Sequence, residues 1–404
     1  MFQKILIVGS GFAGTWAALG AAWALDQADR ADGSVEITVI SPEPELHIRP
    51  RLHESNPEAM RAPLQPLFDA VGVRHIQGRV ERIDQAQACL QVRDAQDNRL
   101  SVAYDRLVFT AGSQLAQTAI PGLSEHALSI DQLSDACRLD THLNQLAEQP
   151  STPARNTVVI VGAGFTGIEI ACELPQRLRT LLGTDVEINI ILLSKGAAPG
   201  AELGENLRPV IQQALDELGV TCHLNACASA IEADGVILAS GEKIHAHTVI
   251  WTGGMRANPL TEQLPGNRDT QGRIAVTRDL RLKDTPHIFA AGDVALARTD
   301  DLGNHALMSC QHAVDMGRYA GHNATADLLG LPTLTYQQPF YVTCLDLGPW
   351  GAVYTEGWQR EVKMQGAEAK ALKRKIVSEW IYPPLAQREG ALAAGNPLGT
   401  VVGD

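Results

Sequence analysis

The chain has 404 residues, of which 45% are hydrophobic and 20% are charged, and its formal net charge at pH 7 is -13. This length and composition predict roughly two or three globular domains with ordinary cores. The negative charge argues against a nucleic-acid partner and leaves membrane contact to a local basic patch.

The seven cysteines are scattered and include no Cys-x-x-Cys pair. This pattern indicates free thiols in a reducing compartment, with neither a disulfide framework nor a metal site. The chain begins with a predicted strand rather than a charged leader, and no segment approaches the ~20 apolar residues of a membrane-spanning helix. We therefore expect a cytoplasmic protein.

The first predicted strand, residues 5–8, leads directly into a glycine fingerprint. The positions that define it are Gly9, Gly11, Phe12, Ala13 and Gly14. In such a turn the first glycine bends the backbone, the second leaves room for a pyrophosphate, and the third lets the next helix pack closely. A helix over 15–29 and a strand over 35–40 complete a βαβ unit, which predicts a dinucleotide at the helix N-terminus.

The same pattern recurs after a Pro- and Ser-containing linker at residues 149–153. A strand over 158–161 precedes the fingerprint, a helix over 167–181 follows it, and a strand over 186–193 comes next. The second fingerprint consists of Gly162, Gly164, Phe165, Thr166 and Gly167. Two such turns in one chain predict two bound dinucleotides.

Three further strands end in glycine-containing turns. The strand over 107–109 precedes Thr110, Ala111 and Gly112, the strand over 248–252 precedes Gly253 and Gly254, and the strand over 287–291 precedes Gly292 and Asp293. From residue 334 the pattern changes to short aromatic-rich segments and one last helix over 367–380, which ends before two prolines.

In this order the segments resemble the flavoproteins with two dinucleotide-binding domains, the pyridine nucleotide-disulfide oxidoreductase superfamily, over residues 4–381. The resemblance implies an α/β fold with two three-layer Rossmann-like domains and a small C-terminal domain. The FAD-binding domain would comprise residues 1–120 and 270–333, and the NAD(P)H-binding domain residues 121–269. Residues 334–404 would form the C-terminal domain, with the acceptor site and a dimer or membrane-surface contact.

The resemblance also assigns the cofactor positions. The first fingerprint, the 110–112 turn and Gly292 would hold FAD, together with Ser41 and Arg49. Asp293 would bind the ribityl or phosphate oxygens of FAD; the alternative is a helix N-cap. The second fingerprint, with Gly253 and Gly254, would hold NAD(P)H.

Within this superfamily, residues 162–174 and 249–260 look most like type II NADH:quinone oxidoreductases. The resemblance places Glu169 near the nicotinamide and the flavin, whereas the alternative is a carboxylate that faces the helix dipole from the first turn. Gln311 matches the quinone-site helix, but Asp315 stands where the family has a second glutamine. An anion at that position disfavours a lipid quinone and makes a more polar acceptor the alternative.

The second strand of each nucleotide unit lacks the acid that normally accepts from the adenosine ribose. Ser41 follows the first of these strands, with Glu43 two residues further on, and either of the two could serve FAD. Ser194 and Lys195 follow the second strand. Ser194 could donate to a 2′-phosphate and Lys195 could pair with it, which favours NADPH. NADH as co-substrate and a solvated Lys195 are the alternatives.

The predicted last helix is basic and amphipathic, with Lys370, Lys373, Arg374 and Lys375. It could lie on a membrane surface, but we favour docking on its own domain, and thus at most weak peripheral contact at the inner face of a membrane. The aromatic residues of the C-terminal region are Phe340, Tyr341, Trp350 and Trp358. They could wall the acceptor site or a dimer interface, although core packing is the better interpretation for any one of them.

The cysteine positions exclude one class of reaction and disfavour another. No Cys-x-x-x-x-Cys pair follows the first βαβ unit, which excludes the dithiol chemistry of the glutathione-reductase-like members. We interpret Cys222 and Cys227 as packing residues. Sulfide oxidation would need Cys137 or Cys344 near the flavin, and we disfavour it.

Together these features imply an FAD-dependent NAD(P)H dehydrogenase that passes a hydride from NAD(P)H to FAD and then electrons to a quinone or quinone-like acceptor. The resemblance also suggests a homodimer. One alternative is an FAD- and NADPH-dependent monooxygenase or biosynthetic oxidoreductase acting on a more polar small molecule. The other is an NAD(P)H-sensing flavoprotein with slow turnover.

Overall fold

A computed structural model of the chain describes residues 2–30, 33–116 and 118–399. The first part contains β1 (Gln3–Val8), α1 (Phe12–Gln27), β2 (Val35–Ser41), β3 (Glu45–His47), β4 (Arg61–Pro63), α2 (Gln65–Val71), β5 (Val73–Asp84), β6 (Cys89–Asp94), β7 (Arg99–Ala103), β8 (Arg106–Phe109) and β9 (Ser113–Leu115). The fingerprint therefore lies between β1 and α1, where the sequence predicts it.

The middle part contains the second nucleotide unit. Its elements are α3 (Leu123–His126), α4 (Leu133–Gln145), β10 (Thr157–Val161), α5 (Phe165–Leu182), β11 (Asn189–Leu193), α6 (Arg208–Leu218), β12 (Val220–His223), β13 (Ala228–Glu232), β14 (Gly235–Leu238), β15 (Lys243–His245), β16 (Thr248–Trp251) and β17 (Met255–Ala257). The strand predicted over 186–193 is shorter than expected, since β11 begins at Asn189.

The last part returns to the first sheet and then forms a small antiparallel sheet. Its elements are β18 (Ile274–Ala275), β19 (Ile288–Ala290), β20 (Ala295–Leu296), α7 (Cys310–Leu328), β21 (Val342–Asp346), β22 (Ala352–Glu356), β23 (Glu361–Gln365), α8 (Gly366–Lys375) with a π-helical continuation (Ile376–Trp380), and α9 (Arg388–Ala394).

Two sheets organise the molecule. The first has the strand order β19-β8-β1-β2-β5-β6-β7, parallel from β19 to β5 and antiparallel beyond. The second, β12-β11-β10-β16, is parallel throughout. The central strands are continuous apolar runs because helices cover both faces of a parallel sheet; Ile5, Leu6 and Ile7 are fully buried. Both fingerprints thus lie at the carboxyl ends of central strands, where open α/β sheets bind ligands.

Small residues bring α1 and α7 into close contact. A Cβ atom on Gly321 would overlap the Ala17 carbonyl oxygen, and one on Gly317 would overlap that of Ala13. The close approach buries α1 almost all round, which explains why its sequence is apolar on every side.

The prediction that the helix over 367–380 is the last one is wrong. Helix α9 follows it and packs on α1, where a Cβ on Gly395 would overlap the Leu19 carbonyl oxygen. Seven residues rich in alanine carry too little amphipathic pattern to reveal a helix. Among the described residues, none of the helices combines the length and apolar character that a membrane span requires.

The proposed domain boundaries stay a prediction. The structure does show that β19 pairs with β8 in the first sheet, although the whole second sheet separates the two strands in sequence. Residues 334–399 divide between the β21-β22-β23 sheet and α9 on the first unit.

Candidate functional site

A cavity of about 1450 Å³ runs along both fingerprints and ends at the C-terminal sheet. It brings together the predicted site positions except Gly14 and Gly167. These third glycines lie behind the cavity wall, where a Cβ on either would overlap the carbonyl oxygen of the first glycine of its own turn. They therefore allow the close packing of helix on strand that the fingerprint predicts for this position.

The first fingerprint has the shape that a pyrophosphate needs. Gly9 adopts a φ of +100°, which is open to glycine and strained for other residues. Gly11, the N-cap of α1, has a φ of -66°, and a Cβ on it would meet no atom within 4 Å. The space in front of the α1 N-terminus is thus empty of protein atoms, and the residues present fit the phosphates of FAD.

A polar cluster lines the same cavity. Ser113 Oγ donates a 2.6 Å hydrogen bond to Asp293 Oδ2. Arg49 Nη1 donates to Ser113 Oγ at 3.1 Å and lies 3.7 Å from Asp293 Oδ2, and its other nitrogens bind Asp131. The N-cap interpretation of Asp293 is wrong, because Ala291 caps this 3₁₀ turn and Asp293 lies inside it. Ser113 and Asp131 were missed by the sequence analysis, which had no motif for them.

Ser41 and Thr110 line the cavity with their hydroxyl groups already engaged. Ser41 Oγ donates to the Glu43 carbonyl oxygen at 2.6 Å and lies 2.8 Å from His75 Nε2. Burial lowers the pKa of His75. Thr110 Oγ1 donates to the Val8 carbonyl oxygen at 2.7 Å. Both side chains therefore hold the walls of the site in place.

The second fingerprint differs from the first in one respect. Gly162 adopts a φ of +119° and Gly164 is the N-cap of α5. A Cβ on Gly164, however, would overlap the carboxylate of Glu202, which lies in front of the helix N-terminus. A carboxylate is stabilised there by the same dipole that would attract a phosphate. A dinucleotide can bind this turn only if Glu202 moves aside.

Replacing Glu202 by glutamine is expected to tighten nucleotide binding about three- to tenfold at low salt, because it removes the anion that competes for the helix N-terminus. The measurement is a titration of the dissociation constant for NADH and for NADPH. Glu205→Gln is the matched control, since Glu205 is exposed and pairs with Arg208. Equal affinities for Glu202→Gln and the unmodified protein would contradict a competing role for this carboxylate.

Ser194 and Lys195 both line the nucleotide end of the cavity. Ser194 Oγ accepts from the Gly196 amide and donates to the Ala198 carbonyl oxygen, so the hydroxyl is committed to its own loop. Lys195 is exposed. Trp251 also lines the cavity. Its Nε1 atom donates to the Gly253 carbonyl oxygen at 3.1 Å, and Gly254 follows with a φ of +77°.

A buried ion pair lies at the centre of the cavity. Lys373 Nζ donates to Glu169 Oε1 at 2.9 Å and to the Cys344 carbonyl oxygen at 2.8 Å, and it lies 5.6 Å from the Phe165 ring centroid. Glu169 is only 5% exposed. The dipole interpretation of Glu169 is wrong, because α5 has no acidic residue in its first turn. Burial lowers the pKa of Lys373, but the charge of the Glu169 carboxylate and the hydrogen bond to it raise this pKa by more. Lys373 therefore retains the ammonium form.

The ion pair also shows that the basic helix docks on the protein itself. Lys373 is buried and Lys370 binds Asp346 on β21, so these two side chains point into the protein and α8 docks on its own sheet. Arg374 and Lys375 remain exposed. The sequence analysis missed Lys373 as a site residue, because its partner lies 204 positions away and no local pattern connects them.

The C-terminal end of the cavity is largely apolar. Gln311 lies here at the start of α7. The surrounding wall includes the side chains of Tyr341, Val342, Ile376, Val377, Trp380 and Ile381, together with the polar side chains of Thr343, Arg360 and Lys373. Of the four C-terminal aromatic residues named from the sequence, Tyr341 lines the cavity and Trp358 stacks on it with ring centroids 4.9 Å apart. Phe340 is exposed, and Trp350 donates to Glu217. Neither of these two reaches the cavity.

The expectation of an anion beside the acceptor is wrong. Asp315 lies one turn, ~6 Å, further along α7 from Gln311, and it is not among the described residues that line the cavity. It lies 3.4 Å from Arg318, and burial raises the pKa of Asp315 to about 7. The argument against a neutral acceptor therefore loses its basis.

The cysteines remain free thiols. Cys310 and Cys344 line the cavity, and burial raises the pKa of each to about 11, which keeps them neutral and poorly nucleophilic near pH 7. Cys137 lies elsewhere, beside Glu58. Cys222 packs against the core as predicted, whereas Cys227 is exposed at the nucleotide end of the cavity, so its packing interpretation is wrong.

Comparison with known proteins agrees with this geometry. Residues 3–317 match the family described as pyridine nucleotide-disulphide oxidoreductase. An NADH dehydrogenase-like protein of Mycobacterium tuberculosis is 46% identical over 397 residues, covering 98% of each chain. The demethylphylloquinone reductase of Synechocystis is 29% identical over 389 residues, covering 94% of this chain and 92% of its own.

Among solved structures, NDH2 of Plasmodium falciparum in complex with NADH superposes with a TM-score of 0.76 and 14% identity, covering 98% of each chain. This likeness establishes the fold. The predicted α/β fold with Rossmann-like sheets, the predicted resemblance and the predicted oxidoreductase class are confirmed. The chain belongs to the pyridine nucleotide-disulphide oxidoreductase family, and within it the chain is an oxidoreductase of the NADH dehydrogenase-like type.

Proposed function

We propose that this chain is an FAD-dependent NAD(P)H dehydrogenase that delivers electrons to a quinone or a quinone-like acceptor. The observation that carries the proposal is the continuous cavity, which joins two phosphate-binding turns to an end that is lined largely by apolar side chains. The name of the Synechocystis relative, a demethylphylloquinone reductase, supports the acceptor class.

The first fingerprint would hold FAD, with the Asp293–Ser113–Arg49 cluster on its hydroxyl-rich chain. When bound, FAD supplies the chemistry of this site, since a flavin accepts a hydride from a nicotinamide and passes the electrons on. The protein fixes the two binding turns relative to each other and lines the space between them with buried side chains. This arrangement holds the reactants in register and limits access of water.

The Glu169–Lys373 pair fixes the boundary between the nucleotide unit and the C-terminal sheet. Lys373 reaches from α8 to Glu169 on α5, and the amide of Asp346 on β21 donates to the same Glu169 oxygen at 3.0 Å. The pair thereby holds Phe165 of the second fingerprint against the C-terminal unit. We assign Glu169 and Lys373 to the positioning of the nicotinamide end, and Gln311 to hydrogen bonding with the acceptor.

The co-substrate is NADPH or NADH. Because Ser194 is committed to its own loop, Lys195 is the residue that we propose to pair with a 2′-phosphate. We further propose a cytoplasmic protein with at most weak peripheral membrane contact through Arg374 and Lys375, and a homodimer through the C-terminal region.

The test is an anaerobic two-step experiment. The purified flavoprotein is reduced with one equivalent of NADPH or NADH and is then mixed with a short-chain quinone while the flavin absorbance is followed. We expect rapid bleaching with at least one nucleotide and rapid reoxidation, with one quinone reduced per flavin.

Three other outcomes would each contradict the proposal and favour a different function. A flavin that is reduced rapidly but ignores the quinone would indicate a more polar acceptor. Oxygen consumption that matches formation of a hydroxylated product would indicate a monooxygenase. Slow turnover with every acceptor would indicate an NAD(P)H-sensing protein.

A further inference from the structure

A histidine in the first turn of α7 has one ring nitrogen that is paired and one that is not. His312 is fully buried, and its Nδ1 atom lies 2.9 Å from Ser309 Oγ. The Nε2 atom has no hydrogen-bond partner among the described residues. The ring stacks on Tyr341, with centroids 5.2 Å apart, at the C-terminal end of the cavity. The unpaired nitrogen decides which hydrogen bonds the rest of the group can make, because buried polar atoms are normally satisfied.

The hydrogen of the His312 imidazole belongs on Nδ1. Burial, aided by the positive charge of Arg273, lowers the pKa of His312 to about 3, so the ring is neutral and carries a single N–H. On Nε2 this N–H would be buried without an acceptor in the described part of the chain, whereas on Nδ1 it is donated to Ser309 Oγ. A buried N–H without an acceptor is rarer in proteins than a buried acceptor without a donor. The paired nitrogen is therefore the one that carries the hydrogen.

This arrangement leaves Ser309 with a proton to donate. Ser309 is the N-cap of α7, and its Oγ atom accepts from the His312 amide at 3.3 Å. With the Nδ1 hydrogen as the second donor, both lone pairs of the hydroxyl oxygen are in use. The hydroxyl proton has no acceptor among the described residues, and Ser309 is partly exposed and lines the cavity. Its hydroxyl group can therefore donate to a ligand but cannot accept from one.

Ser309 lies near the positions that we assign to both reactants. The helix that it caps meets the Gly292 turn of the FAD site, where a Cβ on Gly292 would lie 3.7 Å from Ala313 Cβ. His312 connects it to Tyr341 in the C-terminal wall. A flavin and a quinone both carry ring carbonyl oxygens, which become more negative when the ring is reduced. A fixed donor at such an oxygen stabilises the reduced form more than the oxidised form.

We propose that Ser309 donates a hydrogen bond to a ring carbonyl oxygen in this cavity, and that His312 holds the hydroxyl group in the donating orientation. Ser309 is then a binding residue and His312 a positioning residue. The proposal rests on the proposed function for the identity of the ring, since the carbonyl belongs either to the flavin or to the quinone-like acceptor. It adds to that function two residues and the direction of one hydrogen bond.

The first test does not depend on turnover. The histidines of the purified flavoprotein are isotopically labelled, and the NMR chemical shifts of the two ring nitrogens show which of them carries the hydrogen. The His312 signals are identified by their loss in His312→Gln and by their shift in Ser309→Ala, so that either variant is sufficient. We expect the hydrogen on Nδ1 at neutral pH. A hydrogen on Nε2 would overturn the proposal, because Ser309 would then donate to His312 and not to a ligand.

The second test compares three side chains at position 309 by the KM for a short-chain quinone and by the midpoint potential of the flavin. Asparagine and aspartate both cap helices well, but only asparagine keeps a donor, and alanine removes the cap and the donor together. We expect Ser309→Asp and Ser309→Ala either to raise the KM by about three- to tenfold or to lower the midpoint potential. Ser309→Asn should match the unmodified protein. Equal thermal stability of the Asp and Asn variants separates the donor from the cap.

The two readouts identify the carbonyl oxygen. A higher KM with an unchanged midpoint potential assigns it to the quinone-like acceptor, whereas a lower midpoint potential assigns it to the flavin. Unchanged values of both quantities in Ser309→Ala would overturn the proposal, as would a change in Ser309→Asp alone, which the added charge explains. If the unmodified protein reduces no quinone, the proposed function is overturned, and the ring nitrogen shifts and the midpoint potential still decide the role of Ser309.

Discussion

Replacing Lys373 by methionine is expected to lower the stability of the protein by about 3–5 kcal/mol, because it leaves the Glu169 carboxylate buried without its cation. Lys373 is buried with two hydrogen bonds, to Glu169 and to the Cys344 carbonyl oxygen. In the variant the Cys344 carbonyl oxygen loses this donor and Glu169 Oε1 keeps only the Asp346 amide, and the two acceptors belong to different units of the fold. Thermal and urea unfolding, followed by circular dichroism and by flavin release, measure the loss.

The controls distinguish a buried pair from an ordinary charge. Lys363→Met removes an exposed lysine that pairs with Glu361 at 2.9 Å, and such a change is expected to shift stability by at most about 1 kcal/mol. The double variant Glu169→Leu with Lys373→Met removes both charges and should regain most of the loss, since apolar replacement of a buried pair is often close to neutral. Equal stability of Lys373→Met and Lys363→Met would contradict this interpretation.

Replacing Gly11 by valine is expected to yield a folded protein that purifies without flavin. Gly11 has an ordinary φ, and a side chain there would meet no protein atom within 4 Å. The valine would instead occupy the space in front of the α1 N-terminus, where the pyrophosphate of FAD is expected, and we expect FAD affinity to fall by about a hundredfold or more. The measurements are the flavin-to-protein absorbance ratio and an FAD titration of the apoprotein.

Two other glycines provide matched comparisons. Gly14→Ala should destabilise the fold itself by about 1–3 kcal/mol or more, because a Cβ there would overlap the Gly9 carbonyl oxygen. Gly390→Ala, in open space on α9, should leave flavin content and stability unchanged. Full flavin content in Gly11→Val would show that the fingerprint is not the FAD pyrophosphate site.

The sequence predicts the parts of this protein whose causes are local. A β-branched strand, a glycine turn and a helix are adjacent in the chain, so the residues around Gly9 and Gly162 can be assigned to a strand–turn–helix from their order alone. The sequence also predicts that the basic helix docks on the protein itself. It does not predict the ion pair that holds the helix there. Its partner Glu169 belongs to a different unit, and no spacing rule connects residues 204 positions apart.

The site residues that the sequence misplaced or missed are those whose positions depend on contacts between distant segments. Asp315 is offset from Gln311 by a single turn, and only the packing of α7 decides which of the two faces the cavity. Glu202 comes from a loop whose sequence carries no motif, yet it lies in front of Gly164. Ser113 and Asp131 join Arg49 from separate segments. In each case the tertiary structure, rather than local propensity, places the side chain.

The packing of α1 has a consequence for how the chain folds during synthesis. Helix α1 is buried by α7 and, at Leu19, by the segment that ends α9, and the first sheet is completed by β19. All three are translated after the entire second nucleotide unit. The apolar helix α1 therefore stays incompletely covered until α9 has been translated, whereas the second sheet, contiguous in sequence, can close earlier. Of the two nucleotide units, the one that begins earlier in the chain finishes folding later.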